Sequence, residues 1–154
     1  MLITMIVPLQ EDANYRQLFD EAYASEDRAE EIYEAMKEEK VHTALAMAYF
    51  ATIEMIMADN AIAPWNKLSY FNRGSDRLNE AVEAAKENVE IRYLRFACQT
   101  KAPDFLGYDD YIEEDKAFLM QAFNEMKDAD LKQRVQRIMK ISKHITEEER
   151  KLFL

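Results

Sequence analysis

The residues best suited to bind a charged ligand are Arg92 and Arg95, followed by Gln99. Spacings of three and four residues place all three on one face of a helix. Their neighbours in the segment are largely apolar, so we expect the guanidinium groups to be buried, where they must meet carboxylates, carbonyls or ligand oxygens. Two interpretations are open. Either the arginines form an internal ion pair, or they form a stripe that binds an anion in a groove. The sequence favours the internal ion pair. Its acidic partner is expected among Glu54, Asp109, Asp110 and Glu113.

The aromatic side chains nearest to this stripe complete a hypothetical ligand-binding set. Arginines beside aromatic rings favour an acidic or C-terminal peptide, because a guanidinium holds a carboxylate with two bonds while rings cover apolar side chains. If the same residues are internal, they tie the corner at residues 102–109 to the core. The full predicted set is Arg92, Arg95, Gln99, Trp65, Tyr70, Tyr108 and Tyr111.

Patterns that would indicate catalysis or metal binding are weak. Glu39 and His42 have the spacing that di-iron bundles use, but such bundles need a second copy and two further carboxylates. The only other histidine, His144, has Ile141 three residues before it. Cys98 has no histidine near it in sequence that would make a catalytic pair. The chain also lacks a G-x-S-x-G, P-loop, H-E-x-x-H or C-x-x-C motif. We therefore predict no catalytic residue, cofactor or metal site.

Helices are the elements that must position these residues. The chain has 154 residues with only two glycines and three prolines, which predicts a single all-α domain with short connections. The segment from Val89 to Thr100 is apolar on more than one face, as expected of a helix packed between neighbours. The helix from Val41 to about Ala61 is the most apolar, and we expect its Glu54 to be buried against Arg92 or Arg95.

Two further helix boundaries can be predicted from breakers and caps. Gly74 predicts an interruption in the helix that follows Trp65. After the corner at residues 102–109, in which Gly107 can supply a left-handed turn, a helix is expected to begin near Asp109. Asp110 and Glu113 have the spacing of a capping box at its start.

The charge of the chain bears on its partners. A net charge of −10 argues against nucleic-acid binding by the whole surface. Residues 11–39 hold 11 acids against 3 bases, whereas the segment from Lys132 to Lys143 is basic. Such runs are usually solvated faces. The two segments are nevertheless complementary, and they could face each other within one chain or across a homodimer.

The start of the chain decides the predicted compartment. MLITMIVP is apolar but has no basic region and no small-x-small cleavage site, so residues 1–10 are expected to form a packed arm in a cytoplasmic protein. The alternative is the end of a signal peptide in a periplasmic or secreted protein. The longest uncharged apolar stretch, 41–53, is too short to span a membrane.

Part of the chain resembles a tetratricopeptide repeat. From Gly74 to Asn88 the pattern G-x3-L-x2-A-V-x3-K-E-N matches the second half of such a repeat at Gly74, Leu78 and Ala81, while Lys86 stands where proline is usual. The three successive segments VEIRYLR, PDFLGY and IEEDK also resemble those of an uncharacterised family of small bacterial helical proteins. The resemblance implies six to eight helices stacked as antiparallel hairpins, and a binding or scaffolding role.

These observations favour one function over another. We expect a non-enzymatic protein-binding or scaffold module whose protein or peptide partner lies on a concave face of the stack. The alternative is a small-molecule or anion-binding protein, or an unrecognised enzyme, that uses Arg92 and Arg95 with nearby acids.

Overall fold

The fold is all-α, as the composition predicts. The structure, a computed structural model, describes residues 9–40 and 43–154, and the side chains of the first range from residue 14 onwards. Most of the predicted N-terminal arm, and His42 of the Glu39–His42 pair, lie outside these residues. Eight helices and no strand occur in the described ranges. The helices are α1 (Leu9–Ala24), α2 (Glu26–Glu39), α3 (Ala44–Asn60), α4 (Pro64–Ala84), α5 (Val89–Lys101), α6 (Ile112–Ala122), α7 (Ala129–Ile141) and α8 (Glu147–Arg150).

Contacts between residues divide the chain into two compact units, Met1–Ala81 and Val82–Leu154. In the first unit, α1, α2 and α3 each pack against the other two. Ser25 begins α2 by accepting a hydrogen bond from the Arg28 backbone N–H, and Thr43 begins α3 in the same way. The helix α2 buries four residues that its helical repeat places on one face: Ala29, Ile32, Tyr33 and Met36.

The predicted interruption near Gly74 is wrong, since α4 is continuous from Pro64 to Ala84. Gly74 is buried, and a Cβ atom added to it would lie 3.0 Å from the Ala51 carbonyl oxygen and 3.3 Å from the Glu54 Cβ. The glycine therefore allows the backbones of α3 and α4 to approach closely, and this approach, rather than a turn, is what the missing side chain provides.

In the second unit, α5 packs against α6 and α7. Asn88 begins α5 by accepting a hydrogen bond from the Ile91 N–H. The helix α7 buries Leu131, Val135, Ile138 and Met139, which lie on one face at spacings of three and four residues. Arg150 fixes the end of α7, because its guanidinium donates to the carbonyls of four residues: Met139, Lys140, Ser142 and Ile145. The bonds to Met139 and Lys140 satisfy carbonyl groups that the end of α7 leaves without partners, and the other two hold the segment that follows it.

The corner between α5 and α6 differs in part from the prediction. Gly107 adopts the expected left-handed conformation, with a φ of 59°. However, α6 begins at Ile112 rather than near Asp109, and its N-cap residue, Tyr111, makes no side-chain capping bond, so the predicted capping box of Asp110 and Glu113 is wrong. Gln99 performs part of the capping role instead, since its Oε1 accepts a hydrogen bond from the Tyr111 N–H at 2.9 Å.

No helix in the described part of the chain has the length and apolar character needed to cross a membrane.

Candidate functional site

The predicted arginine stripe of α5 converges on one carboxylate, that of Asp115. Arg95 donates from Nε to Oδ2 at 2.7 Å and from Nη2 to Oδ1 at 2.8 Å. Arg92 Nη1 donates to Oδ1 at 2.9 Å, and Gln99 Nε2 donates to Oδ2 at 3.0 Å. All four residues are buried. Both oxygens of this carboxylate thus accept two hydrogen bonds each, which is what a buried charge requires.

Glu114 supplies the second negative charge of this cluster. Its Oε1 lies 2.6 Å from Arg92 Nη1, and its side chain is half-exposed. The hydrogen bond from Arg92 lowers the pKa of the Glu114 carboxyl. Burial acts to lower the pKa of Arg92, but the bonds to Glu114 and Asp115 outweigh it and raise that pKa. Two cations and two anions make the cluster neutral, as an internal ion pair should be.

The predicted acidic partners of Arg92 and Arg95 are wrong. The sequence favoured Glu54, Asp109, Asp110 or Glu113, whereas Asp115 and Glu114 are the partners. The reason is the start of α6, because a helix that begins at Ile112 turns Asp115 inward. A signal for this existed, since Asp115 follows Ile112 by three residues and precedes Leu119 by four. The three positions therefore share the buried face of α6.

Aromatic rings cover the faces of both arginines. The Arg95 Cζ lies 4.1 Å from the centroid of the Tyr111 ring, and the Arg92 Cζ lies 4.9 Å from that of Phe118. Of the predicted aromatic residues, Tyr111 therefore does meet the stripe. Tyr108 is half-buried in the corner before α6.

Glu54 is buried as predicted, with 1% of its surface exposed, but its predicted partner is wrong. It pairs with Arg77 of α4, whose Nε and Nη2 lie 2.9 and 3.3 Å from the two carboxylate oxygens. Arg73 Nε lies 3.9 Å from Oε1. The continuous α4 explains this partner, because Gly74 brings α4 against Glu54 and Arg77 follows Gly74 by about one turn.

The two remaining predicted residues, Trp65 and Tyr70, belong to the first unit. The Tyr70 ring packs edge-on against Tyr33, with 5.5 Å between centroids. Trp65 is 73% exposed, with Ile62 at 95% and Leu68 at 51%. We call Ile62, Trp65 and Leu68 the α4 apolar patch. Of the seven predicted residues, Arg92, Arg95, Gln99 and Tyr111 therefore cluster within the second unit, whereas Trp65 and Tyr70 belong to the first.

Within residues 9–40 and 43–154, no group of three or more His, Cys, Asp and Glu side chains is arranged to hold a metal ion. Comparison of the chain with family models, with curated proteins and with solved structures found no match.

Proposed function

We propose that the protein is a non-enzymatic protein-binding module and that its docking surface is the α4 apolar patch. The exposure of Trp65 carries this proposal. Single exposed apolar residues are common on protein surfaces, but adjacent ones that include a tryptophan are typical of interaction sites. Tryptophan is also among the residues that contribute most to binding at interfaces.

The spacing of the patch supports one continuous surface. Trp65 and Leu68 are three residues apart on α4 and share a face of the helix. Ile62 lies just before α4 begins. The one cation close by in sequence, Lys67, is engaged at the end of α3, where its Nζ donates to the Asp59 carbonyl at 3.0 Å.

The rim of the patch indicates the chemistry of the partner. The exposed residues that flank it on α4 are the polar, uncharged Asn66, Ser69 and Asn72 and the cation Lys67. An apolar centre with a polar rim is the usual anatomy of a protein interface. We therefore propose that the partner presents an apolar side chain or helix face, which buries Trp65, rather than a strongly charged segment.

The alternative role, binding or catalysis through Arg92 and Arg95, has less support. Both guanidinium groups are buried and donate to Asp115, and their charges are balanced within the cluster. A ligand anion would have to replace a carboxylate that already accepts four hydrogen bonds.

Trp65→Ala tests the proposal in a capture experiment with immobilised protein. The matched control is Phe105→Ala, which removes another highly exposed ring from the second unit. We expect the wild type and the control to retain a captured partner that Trp65→Ala loses, while all three proteins keep the same thermal midpoint. Trp65 is the only tryptophan of the chain, so its fluorescence should shift to shorter wavelength when the isolated partner is added. Equal capture by both variants, with no emission shift, would reject this docking surface.

A further inference from the structure

Two arginines of α4, Arg73 and Arg77, share a single buried carboxylate. Glu54 accepts two hydrogen bonds from Arg77, at 2.9 and 3.3 Å, which already make a complete two-bonded pair. Arg73 reaches the same carboxylate only with its Nε, at 3.9 Å, too far for a hydrogen bond. One arginine is enough to neutralise Glu54, so the second leaves one positive charge in excess.

No other carboxylate of the described residues lies within 4.0 Å of either arginine. Their side chains are 48% and 30% exposed, so the excess charge lies at the surface. Within the described part of the chain, the N–H groups of Arg73 and the Nη1 group of Arg77 form no hydrogen bond. These groups remain available for a ligand, in a chain whose net charge is −10.

Aromatic rings hold the two guanidinium groups in place. The Arg77 Cζ lies 4.5 Å from the centroid of the Phe50 ring, and the Arg73 Cζ lies 4.9 Å from that of Tyr70. The rings support each other, because Tyr33 stacks on Phe50 and meets Tyr70 edge-on. An arginine side chain that is already packed against a ring loses less conformational entropy when it binds a ligand. This favours binding of the ligand by the N–H groups along the edge of the guanidinium plane.

A further cation, Lys37, lies near these rings and is paired with Glu34, whose carboxylate oxygen is 3.8 Å from its Nζ. The Lys37 Nζ lies 5.8 Å from the centroid of the Tyr33 ring. Burial raises the pKa of Tyr33 and the Glu54 carboxylate acts in the same direction, whereas the charges of Arg73 and Lys37 act to lower it.

We propose that Arg73 and Arg77 form a binding site for an oxyanion, a carboxylate or phosphate group carried by a ligand. Arginines four residues apart on a helix are neighbours, so one anion can contact both. The buried Glu54 carboxylate binds Arg77 and fixes its position. The guanidinium group of Arg73 can then donate two parallel hydrogen bonds to two oxygens of the anion. The site is independent of the α4 apolar patch, and loss of Trp65 would leave it unchanged.

The test is a titration followed by NMR of the arginine Nε–Hε signals. Inorganic phosphate and succinate are the two probes, each added at constant ionic strength because surface charges are screened by salt. We expect saturable shifts of the Arg73 and Arg77 signals. Shifts with phosphate alone would assign the site to phosphoryl groups, and shifts with both probes would show that a carboxylate suffices.

Variants separate a specific site from general attraction of anions. Arg73→Gln should weaken probe binding about tenfold, equivalent to about 1.4 kcal/mol. Arg137→Gln removes the same charge from an exposed position on α7 and should leave binding unchanged. Arg73→Lys should restore only part of the affinity, because it keeps the charge but not the planar fork.

Arg73 is half-exposed and donates no hydrogen bond within the described residues, so these variants should keep the wild-type thermal midpoint. The proposal is overturned if neither probe gives a saturable shift. It is also overturned if Arg73→Gln and Arg137→Gln weaken binding equally.

Discussion

Arg95 and Asp115 form a two-bonded ion pair between α5 and α6, with 2.7 and 2.8 Å between the bonded atoms. Residues 20 positions apart are thereby joined in the interior of the second unit. Arg92 and Gln99 donate to the same carboxylate, so Asp115 is the acceptor on which the polar face of α5 depends.

Replacing Asp115 by alanine should destabilise the protein by about 3–5 kcal/mol, because it leaves two buried guanidinium groups without their main acceptor. Urea unfolding measures the loss. Asp110→Ala is the matched control, since Asp110 is exposed, and it should change stability by less than about 0.5 kcal/mol. Equal and small losses in both variants would mean that the arginines reach water.

Glu54→Ala should reduce the free energy of unfolding by about 2–3 kcal/mol. The loss is smaller than for Asp115 because Arg77 is 30% exposed and can turn its charge into water. Glu54→Gln keeps the volume and one acceptor, and it should cost less than the alanine variant. Both losses are measured by urea unfolding. A larger loss for Glu54→Gln than for Glu54→Ala would contradict this prediction.

Gly74→Ala should destabilise the protein, although alanine favours helices by about 1 kcal/mol over glycine. The new Cβ would lie 3.0 Å from the Ala51 carbonyl oxygen, and backbone atoms yield less readily than side chains. We expect a net loss of about 1–2 kcal/mol in thermal or urea unfolding. A gain in stability would show that α3 and α4 can separate at little cost.

The depressed pKa of Glu114 predicts a dependence of stability on acid. Its folded pKa lies below the ordinary value of 4.5, so its contribution is present above that pH and is lost as pH falls through the folded pKa. The effect should be small, because Glu114 is half-exposed. In urea unfolding at several pH values, the advantage of the wild type over Glu114→Gln should shrink below pH 4.5. An advantage that persists under strong acid would contradict the prediction.

Local patterns in the sequence are enough to predict most of the helices. The buried residues Ala29, Ile32, Tyr33 and Met36 of α2 follow from the helical repeat alone. The Thr146 and Glu149 capping box is also a local signal, since its two residues lie within one turn of each other. Such features depend on residues three or four positions apart, which the helical repeat places on one face whatever the helix packs against.

The ion-pair partners were decided only by the tertiary structure. Periodicity indicates that Glu54, Arg92 and Arg95 are buried, and burial requires a partner for each charge. It does not indicate which acid or base, because the partners lie 20 to 23 positions away on other helices. A continuous α4 places Arg77 at Glu54, and a start of α6 at Ile112 turns Asp115 towards α5. A shift of one residue in either helix selects a different partner, since successive residues point 100° apart around the axis.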